Sequence, residues 1–192
     1  MSIAVSTVRT RVRQITRRDN TTELTDDDLD AVILESCREI SKRCLCLKSS
    51  ETGTLSGDGT SITAPSDMVT SDTAIEELYL SSSLLDRITF AEWRAGKIEG
   101  YCYHDGSIYI IPTSGSDRSY TLYYRTIHGA LSTNLEFEDD LKMAVIWLTC
   151  KKIYDNYELY EKANVALANY EREIALNAPV EVVACRIRST RI

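Results

Sequence analysis

The chain has 192 residues, of which 43% are hydrophobic and 27% are charged. These values are ordinary for a globular protein that is long enough to bury a substantial core. No run of 18 apolar residues occurs, which excludes an evident membrane-spanning helix. The N-terminus has no apolar run before its first arginine, so we expect no secretory signal and assembly in a reducing cytoplasm.

The formal net charge of −7 is unevenly distributed along the chain. Residues 1–18 contain five arginines and no acid, and residues 178–192 contain three arginines against Glu181. Residues 19–177 contain 14 basic and 28 acidic residues. An acidic body repels nucleic acid, whereas its basic ends predict docking segments for an acidic partner or a neighbouring subunit. The alternative is that both ends are merely solvated termini.

The cysteines predict buried thiols and neither disulfides nor a metal site. A reducing compartment disfavours disulfides, and free cysteine packs as a small hydrophobe on a helix face. The Cys44-x-Cys46 pair lacks a second pair at zinc-site spacing. The six cysteines are Cys37, Cys44, Cys46, Cys102, Cys150 and Cys185.

Two amphipathic helices are predicted in the first 48 residues. Apolar residues at three- and four-residue spacing mark the first helix, and arginines occupy its other faces. Thr25 is placed as the N-cap of the second helix, ahead of three aspartates that favour the positive end of the helix dipole. The buried stripes are Val5, Val8, Val12 and Ile15 in the first helix, and Leu29, Val32, Ile33, Cys37, Ile40 and Cys44 in the second.

Residues 49–132 are predicted to form a β-rich insertion. The glycines near residue 55 indicate a loop with a small hairpin turning at Asp58-Gly59, and Ile75–Leu80 is a strand candidate. Thr89 to Glu92 has the capping-box pattern of a short helix. Residues 101–111 predict a hairpin with a type I′ turn at Asp105-Gly106, and residues 120–125 predict a third antiparallel strand beside it.

Two more helices and an arm complete the predicted order. Acidic residues are predicted to open the third helix, which is apolar on most sides, and the fourth helix ends near Pro179. Beyond it, alternating β-branched residues and arginines predict an extended arm that adds a strand to another protein's sheet. Return of that strand onto its own domain is the alternative. The acidic opening comprises Asn134, Glu136, Glu138, Asp139 and Asp140.

No catalytic or cofactor motif is recognised in the sequence. Phosphate-binding and dinucleotide-binding glycine patterns are missing, and so are a serine elbow and a His-Glu-x-x-His pair. Cys102, His104 and His128 are the only candidates for a metal or acid–base site, and the sequence supplies no carboxylate partner for them. We therefore expect no enzyme activity, no cofactor and no bound metal.

Three segments carry a resemblance to a known family. Residues 24–31, with Ser36 to Ile40, look like the second helix of the head-to-tail adaptor proteins of tailed bacteriophages, which are also called connector or neck proteins. A strand that ends at Pro112, followed by the aromatic strand 120–125, is similar to a strand pair of those families. Residues 135–178 resemble their closing helix pair. The order of the segments gives the match its specificity.

The resemblance implies a structural protein of the virion neck. Such a protein forms a ring, commonly of twelve copies, beneath the portal protein of a filled capsid. The ring extends the DNA channel and offers a platform to tail, tail-hub or nozzle proteins. Genome DNA would pass without specific binding, and no membrane is involved. A small nucleic-acid-binding regulator that uses its N-terminal arginine helix is the alternative function.

Together these inferences predict an α+β protein, a bundle of about four helices with a large antiparallel β insertion and an extended C-terminal arm. The predicted regions are a helical body at 1–48 and 133–178, the β-rich insertion at 49–132 and the arm at 179–192. The arm residues expected to dock a partner are Val180, Val182, Val183, Arg186, Ile187, Arg188 and Arg191. A possible subunit-interface or docking helix carries Arg9, Arg11, Arg13 and Arg17.

Overall fold

The computed structural model describes residues 2–18, 23–57, 59–96, 99–111 and 115–177. These residues form a mixed α and β structure with antiparallel sheets, as the sequence predicts. The helices are α1 (Val5–Thr16), α2 (Asp26–Cys44), α3 (Phe90–Ala95), α4 (Lys142–Asn156) and α5 (Tyr160–Asn177). The strands are β1 (Ser2–Ala4), β2 (Lys48–Leu55), β3 (Ser61–Thr63), β4 (Ile75–Leu80), β5 (Ser83–Leu84), β6 (Gly100–His104), β7 (Ser107–Ile111), β8 (Arg118–Arg125) and β9 (Asn134–Glu138).

The chain divides into two compact units. The helical unit combines the described parts of Met1–Leu47 and His128–Ile192 and contains α1, α2, α4, α5 and the β1–β9 pair. The β unit is Lys48–Ile127 and contains α3 with the other strands. Both ends of the described chain thus contribute to one hydrophobic core.

Helix α4 lies at the centre of the helical unit and contacts α1, α2 and α5. Burying a large aliphatic side chain contributes about 1.5–3 kcal/mol, so the apolar length of α4 holds this unit together. Its buried residues are Ala144, Val145, Ile146, Leu148, Thr149, Cys150, Ile153 and Tyr154. The buried stripe of α1 at Val5, Val8 and Val12 confirms the predicted spacing.

The acidic opening of the third helix is a wrong prediction. Asn134–Glu138 is strand β9, which pairs antiparallel with β1, and a 3₁₀ turn at Asp139–Leu141 leads into α4. Leu135 and Phe137 are buried while the residues on either side of them are exposed. Burial with a period of two fits a strand, so Glu136 and Glu138 lie on its outer face.

The helix caps predicted at Thr25 and Thr89 are present in the structure. The hydroxyl of Thr25 accepts the Asp28 backbone N–H at 3.1 Å, which confirms the N-cap of α2. Thr89 and Glu92 form a reciprocal capping box at the start of α3. The Glu92 carboxylate accepts hydrogen bonds from the Thr89 backbone and side chain, and these bonds lower its pKa. Helices α2 and α3 therefore begin at the predicted residues.

The β unit contains two antiparallel sheets, and one predicted neighbour is wrong. Strand order is β2-β8-β4-β5 in the first sheet and β3-β7-β6 in the second. The β6–β7 hairpin turns at Asp105 and Gly106 with φ angles of 48° and 76°, which confirms the type I′ turn. Strand β8, however, lies between β2 and β4 and not beside that hairpin.

The predicted loop after residue 48 is instead the eight-residue strand β2. It pairs with β8, and β3 pairs with β7, so the small hairpin at Asp58-Gly59 is also wrong; Asp58 itself lies outside the described residues. A Cβ on Gly53 would stand 2.6 Å from the Tyr120 ring. The glycine therefore permits close cross-strand packing and does not mark a turn.

Candidate functional site

Helix α1 uses two of its predicted docking arginines inside the helical unit. Arg9 Nε donates to Asp30 Oδ1 at 2.6 Å, and its Nη2 also pairs with that carboxylate. Arg13 Nη2 donates to Asp26 Oδ1 at 2.7 Å and to the Leu24 carbonyl at 3.0 Å. The hydrogen bonds to Asp30 raise the pKa of Arg9 above its usual value. Two guanidinium groups thus join α1 to the start of α2.

The other two arginines remain on the surface of α1. Arg11 is exposed and donates to Gln14 Oε1 at 3.2 Å. Arg17 is exposed and ends the helix in a left-handed conformation with φ 55°. Any partner that docks on this helix therefore meets Arg11 and Arg17 before it meets Arg9 or Arg13.

A further ion pair joins the second and last helices. Arg43 Nη1 donates to Glu171 Oε1 at 2.6 Å, and its second Nη group pairs with the other carboxylate oxygen. This bidentate contact lowers the pKa of Glu171 and raises that of Arg43. The surface arginines and acids of the helical unit thus stabilise helix packing as well as setting its charge.

The metal candidates form no cluster. His104 is exposed and stacks on Phe90 with ring centroids 3.9 Å apart, and it belongs to the β unit, as does Cys102. His128 belongs to the helical unit, and Cys102 is a buried free thiol. Among the described residues, no group of three or more His, Cys, Asp or Glu side chains is placed to hold a metal ion.

His128 is instead a core residue with both ring nitrogens in use. Its Nε2 accepts the Glu136 backbone N–H at 3.0 Å, and its Nδ1 lies 3.1 Å from the Gly129 carbonyl. An acceptor at Nε2 and a donor at Nδ1 define one neutral tautomer. The side chain is fully buried against Phe137. This histidine therefore holds the loop 128–136 closed and leaves no lone pair for a metal.

Four cysteines of the described residues are buried thiols, and Cys46 is partly buried. The buried ones are Cys37, Cys44, Cys102 and Cys150. Desolvation raises the pKa of Cys37 and of Cys150 to about 12. Because the folded-state pKa lies above the unfolded value, these thiols add stability below about pH 9, and that stability is lost as the pH rises towards 12. Cys185 lies outside the described residues.

We expect replacement of Cys150 by serine to lower the free energy of unfolding more than replacement of Cys102. Cys150 is fully buried in α4, where transfer of a hydroxyl costs about 1–3 kcal/mol. Cys102 is also buried, but it lies at the margin of a groove of about 350 Å³, so a hydroxyl there is closer to water than one within α4. Urea denaturation of both variants checks the order, and an equal loss of stability would contradict it.

An apolar surface of the helical unit was not foreseen from the sequence. Helix α5 exposes Tyr160, Val165 and Leu176, with Leu176 exposed to 72%. A groove of about 410 Å³ runs beside it. Its lining residues are Ile15, Trp147, Tyr154, Glu161, Lys162, Val165 and Ala166. The buried residues of α5 pack on α4, whereas the three exposed side chains do not form one continuous stripe. The groove, which Val165 lines, is therefore the apolar surface that the described residues leave open.

The β unit carries an aromatic cluster at the start of α3. Phe90 stacks on Trp93 at 5.4 Å, and Trp93 lies 4.6 Å from Tyr109 between ring centroids. His104 also stacks on Phe90. The capping box fixes the direction of α3 and therefore places its two aromatic rings over the β6–β7 hairpin.

The predicted docking arm lies outside the described residues. Helix α5 ends at Asn177, and residues 178–192 lie outside the described residues. That range includes the docking candidates Val180, Val182, Val183, Arg186, Ile187, Arg188 and Arg191.

Comparison with models of protein families and with curated proteins finds no match for this chain. Within the described residues, no helix has the length and apolarity needed to cross a membrane.

Proposed function

We propose that this protein is a structural head-to-tail adaptor in the neck of a tailed bacteriophage virion. Its copies form a ring of twelve beneath the portal protein, extend the DNA channel and present a platform to tail, tail-hub or nozzle proteins. The observation that carries the proposal is that an N-terminal and a C-terminal segment of the chain share one hydrophobic core, while the β unit is inserted between these two segments in the sequence. The finer architecture proposed is a four-helix body with a β insertion between the second and third long helices and a docking arm.

The charge distribution supports passage of DNA without retention. Residues 19–177 carry twice as many acidic as basic residues. Phosphate contacts from lysine and arginine supply most non-specific affinity for DNA, so an acidic conduit releases the genome readily. The alternative function, a nucleic-acid-binding regulator, would need the arginines of α1 to contact phosphate. Two of them already pair with Asp26 and Asp30, which disfavours that function.

Two surfaces support ring closure. A head-to-tail ring needs two different surfaces on each subunit. Among the described residues, the helical unit offers the groove beside α5, and the β unit offers the edge strand β2, whose alternate residues are exposed. Neither surface is covered by other described residues of its own unit, so both are available for contacts with neighbouring copies.

The direct experiment is complementation of particles assembled without this protein. We expect DNA-filled capsids that lack it to carry a portal but no tail, and addition of the purified chain to restore tail attachment. Capsids that acquire tails equally well without the chain would exclude the adaptor role. Filter binding to duplex DNA at physiological salt tests the alternative function, because a nucleic-acid-binding regulator must bind DNA tightly under these conditions.

We also expect the purified protein to be monomeric or loosely associated, and to close into a ring only on its portal. Repeating the acidic body around a ring produces repulsion that a template must offset. Light scattering in moderate salt should then give a mass near 21.6 kDa. A stable ring formed without any partner at low salt would contradict this expectation.

A further inference from the structure

Strand β2 presents a long backbone edge to solvent. It is the first strand of the β2-β8-β4-β5 sheet and pairs with β8 along all eight residues. The opposite edge strand, β5, has two residues, and β3 has three. The outer edge of β6 is covered by residues 86–88, which exchange backbone hydrogen bonds with Tyr101 at 2.8 and 2.9 Å. Within the described β unit, β2 is therefore the one long edge that stays open.

The side to which each backbone N–H and C=O group of β2 points follows from the backbone hydrogen bonds that β8 makes on its other side, towards β4. The Ser119 carbonyl accepts the Ser81 N–H at 2.9 Å, and the Arg125 carbonyl accepts the Val69 N–H at 2.9 Å. Both donors lie on the β4 side of β8. Since backbone groups alternate sides along a strand, the odd-numbered residues of β8 face β4 and the even-numbered residues face β2.

The register then assigns each residue of β2. The β8 residues that face β2 are opposite Ser49, Glu51 and Gly53. Those three residues use their N–H and C=O groups in the ladder. Ser50 and Thr52, which alternate with them, direct their N–H and C=O groups away from β8, and their side chains are exposed. The edge therefore offers a row of backbone donors and acceptors that matches another strand.

The occupant that best fits this edge is the C-terminal arm of the same protein. The segment 180–188 has nine residues, spans about 30 Å when extended, and is rich in β-branched residues, while β2 spans about 27 Å. Residues 178–192 carry three arginines against one glutamate, and the β unit contains six basic and eleven acidic residues. Length, strand propensity and charge are thus complementary.

We propose that residues 180–192 of one copy add a fifth strand to the sheet of a neighbouring copy by pairing with the open edge of β2. Each copy donates an arm and accepts one, which gives the two different surfaces that a closed ring requires. This inference rests on the proposed adaptor function, because it assigns the contact between copies of the ring.

The test is binding of a fluorescent peptide of residues 179–192 to the full chain, measured by fluorescence anisotropy. Thr52→Pro removes an outward N–H while leaving the bonds to β8 intact, and Thr52→Val keeps that N–H. We expect wild type and Thr52→Val to bind alike and Thr52→Pro to bind at least tenfold more weakly. Circular dichroism of all three proteins should be the same.

Equal binding to wild type and Thr52→Pro, or no binding to either full chain or a chain ending at residue 178, would overturn the proposal. Peptide that binds the shortened chain but not a full chain shown by light scattering to be monomeric would place the arm on its own sheet, which also contradicts the proposal. No capsid component takes part, so failure here is distinguishable from failure of the adaptor function, which complementation of tailless capsids measures.

Discussion

Deletion of residues 180–192 should abolish attachment of the protein to portal-bearing capsids while leaving its melting temperature nearly unchanged. The described core of the helical unit is built from residues between Ile3 and Ile174. Because the described helices already share a hydrophobic core, we expect the arm to act in assembly, as the proposed contact with a neighbouring copy requires. Co-sedimentation with DNA-filled capsids measures attachment, and scanning calorimetry measures stability.

The matched control for this deletion is a chain that lacks only residues 189–192. It retains the β-branched segment 180–188 with Arg186 and Arg188 and loses only Arg191 of the three arginines. We expect it to attach to capsids, because main-chain pairing supplies most of the contact. A markedly earlier melting of the longer deletion would show that the arm belongs to the fold of its own subunit.

The second prediction with a large expected effect is a loss of stability when His128 is replaced. Replacement by alanine should lower the free energy of unfolding of the helical unit by about 2–5 kcal/mol, because it opens a cavity at a fully buried side chain and leaves two part-buried backbone groups without that partner. The groups affected are the Glu136 N–H and the Gly129 carbonyl. The backbone N–H of residue 128 keeps its bond to the Ser41 hydroxyl.

His104→Ala is the matched control, since the chain has two histidines. His104 is exposed and contributes a ring stack on Phe90, so its loss should cost about 1 kcal/mol or less. Urea titration in a Trp93→Phe background lets Trp147 report the helical unit for His128→Ala, and a Trp147→Phe background lets Trp93 report the β unit for His104→Ala. Equal losses for the two histidine variants would contradict the assignment of His128 as a buried hydrogen-bonded residue.

Features fixed by neighbouring residues could be predicted from the sequence. Thr25 caps α2 and Asp105-Gly106 turns the β6–β7 hairpin because each signal depends on groups within four positions. The limits of β4 at Ile75 and Leu80 also match, since apolar residues and turn signals bracket them. Local hydrogen bonding determines these elements almost independently of the rest of the chain.

Features fixed by distant partners could not be predicted in this way. An acidic run before α4 has the composition of a helix start, but pairing with β1 makes Asn134–Glu138 a strand. Gly53 resembles a turn residue until Tyr120 is placed across the strand from it. The arginine stripe of α1 likewise resembles a docking surface, whereas Asp26 and Asp30 of α2 bind two of its members.

Imaging of portal-bearing particles before tail attachment tests the adaptor proposal most directly. Electron cryomicroscopy of DNA-filled, tailless capsids incubated with the purified chain should show a ring of twelve copies directly beneath the portal. Each copy should contact its neighbour and surround an open, DNA-sized channel. Particles with an unaltered portal vertex, or with the chain distributed over the capsid shell, would contradict the proposed function.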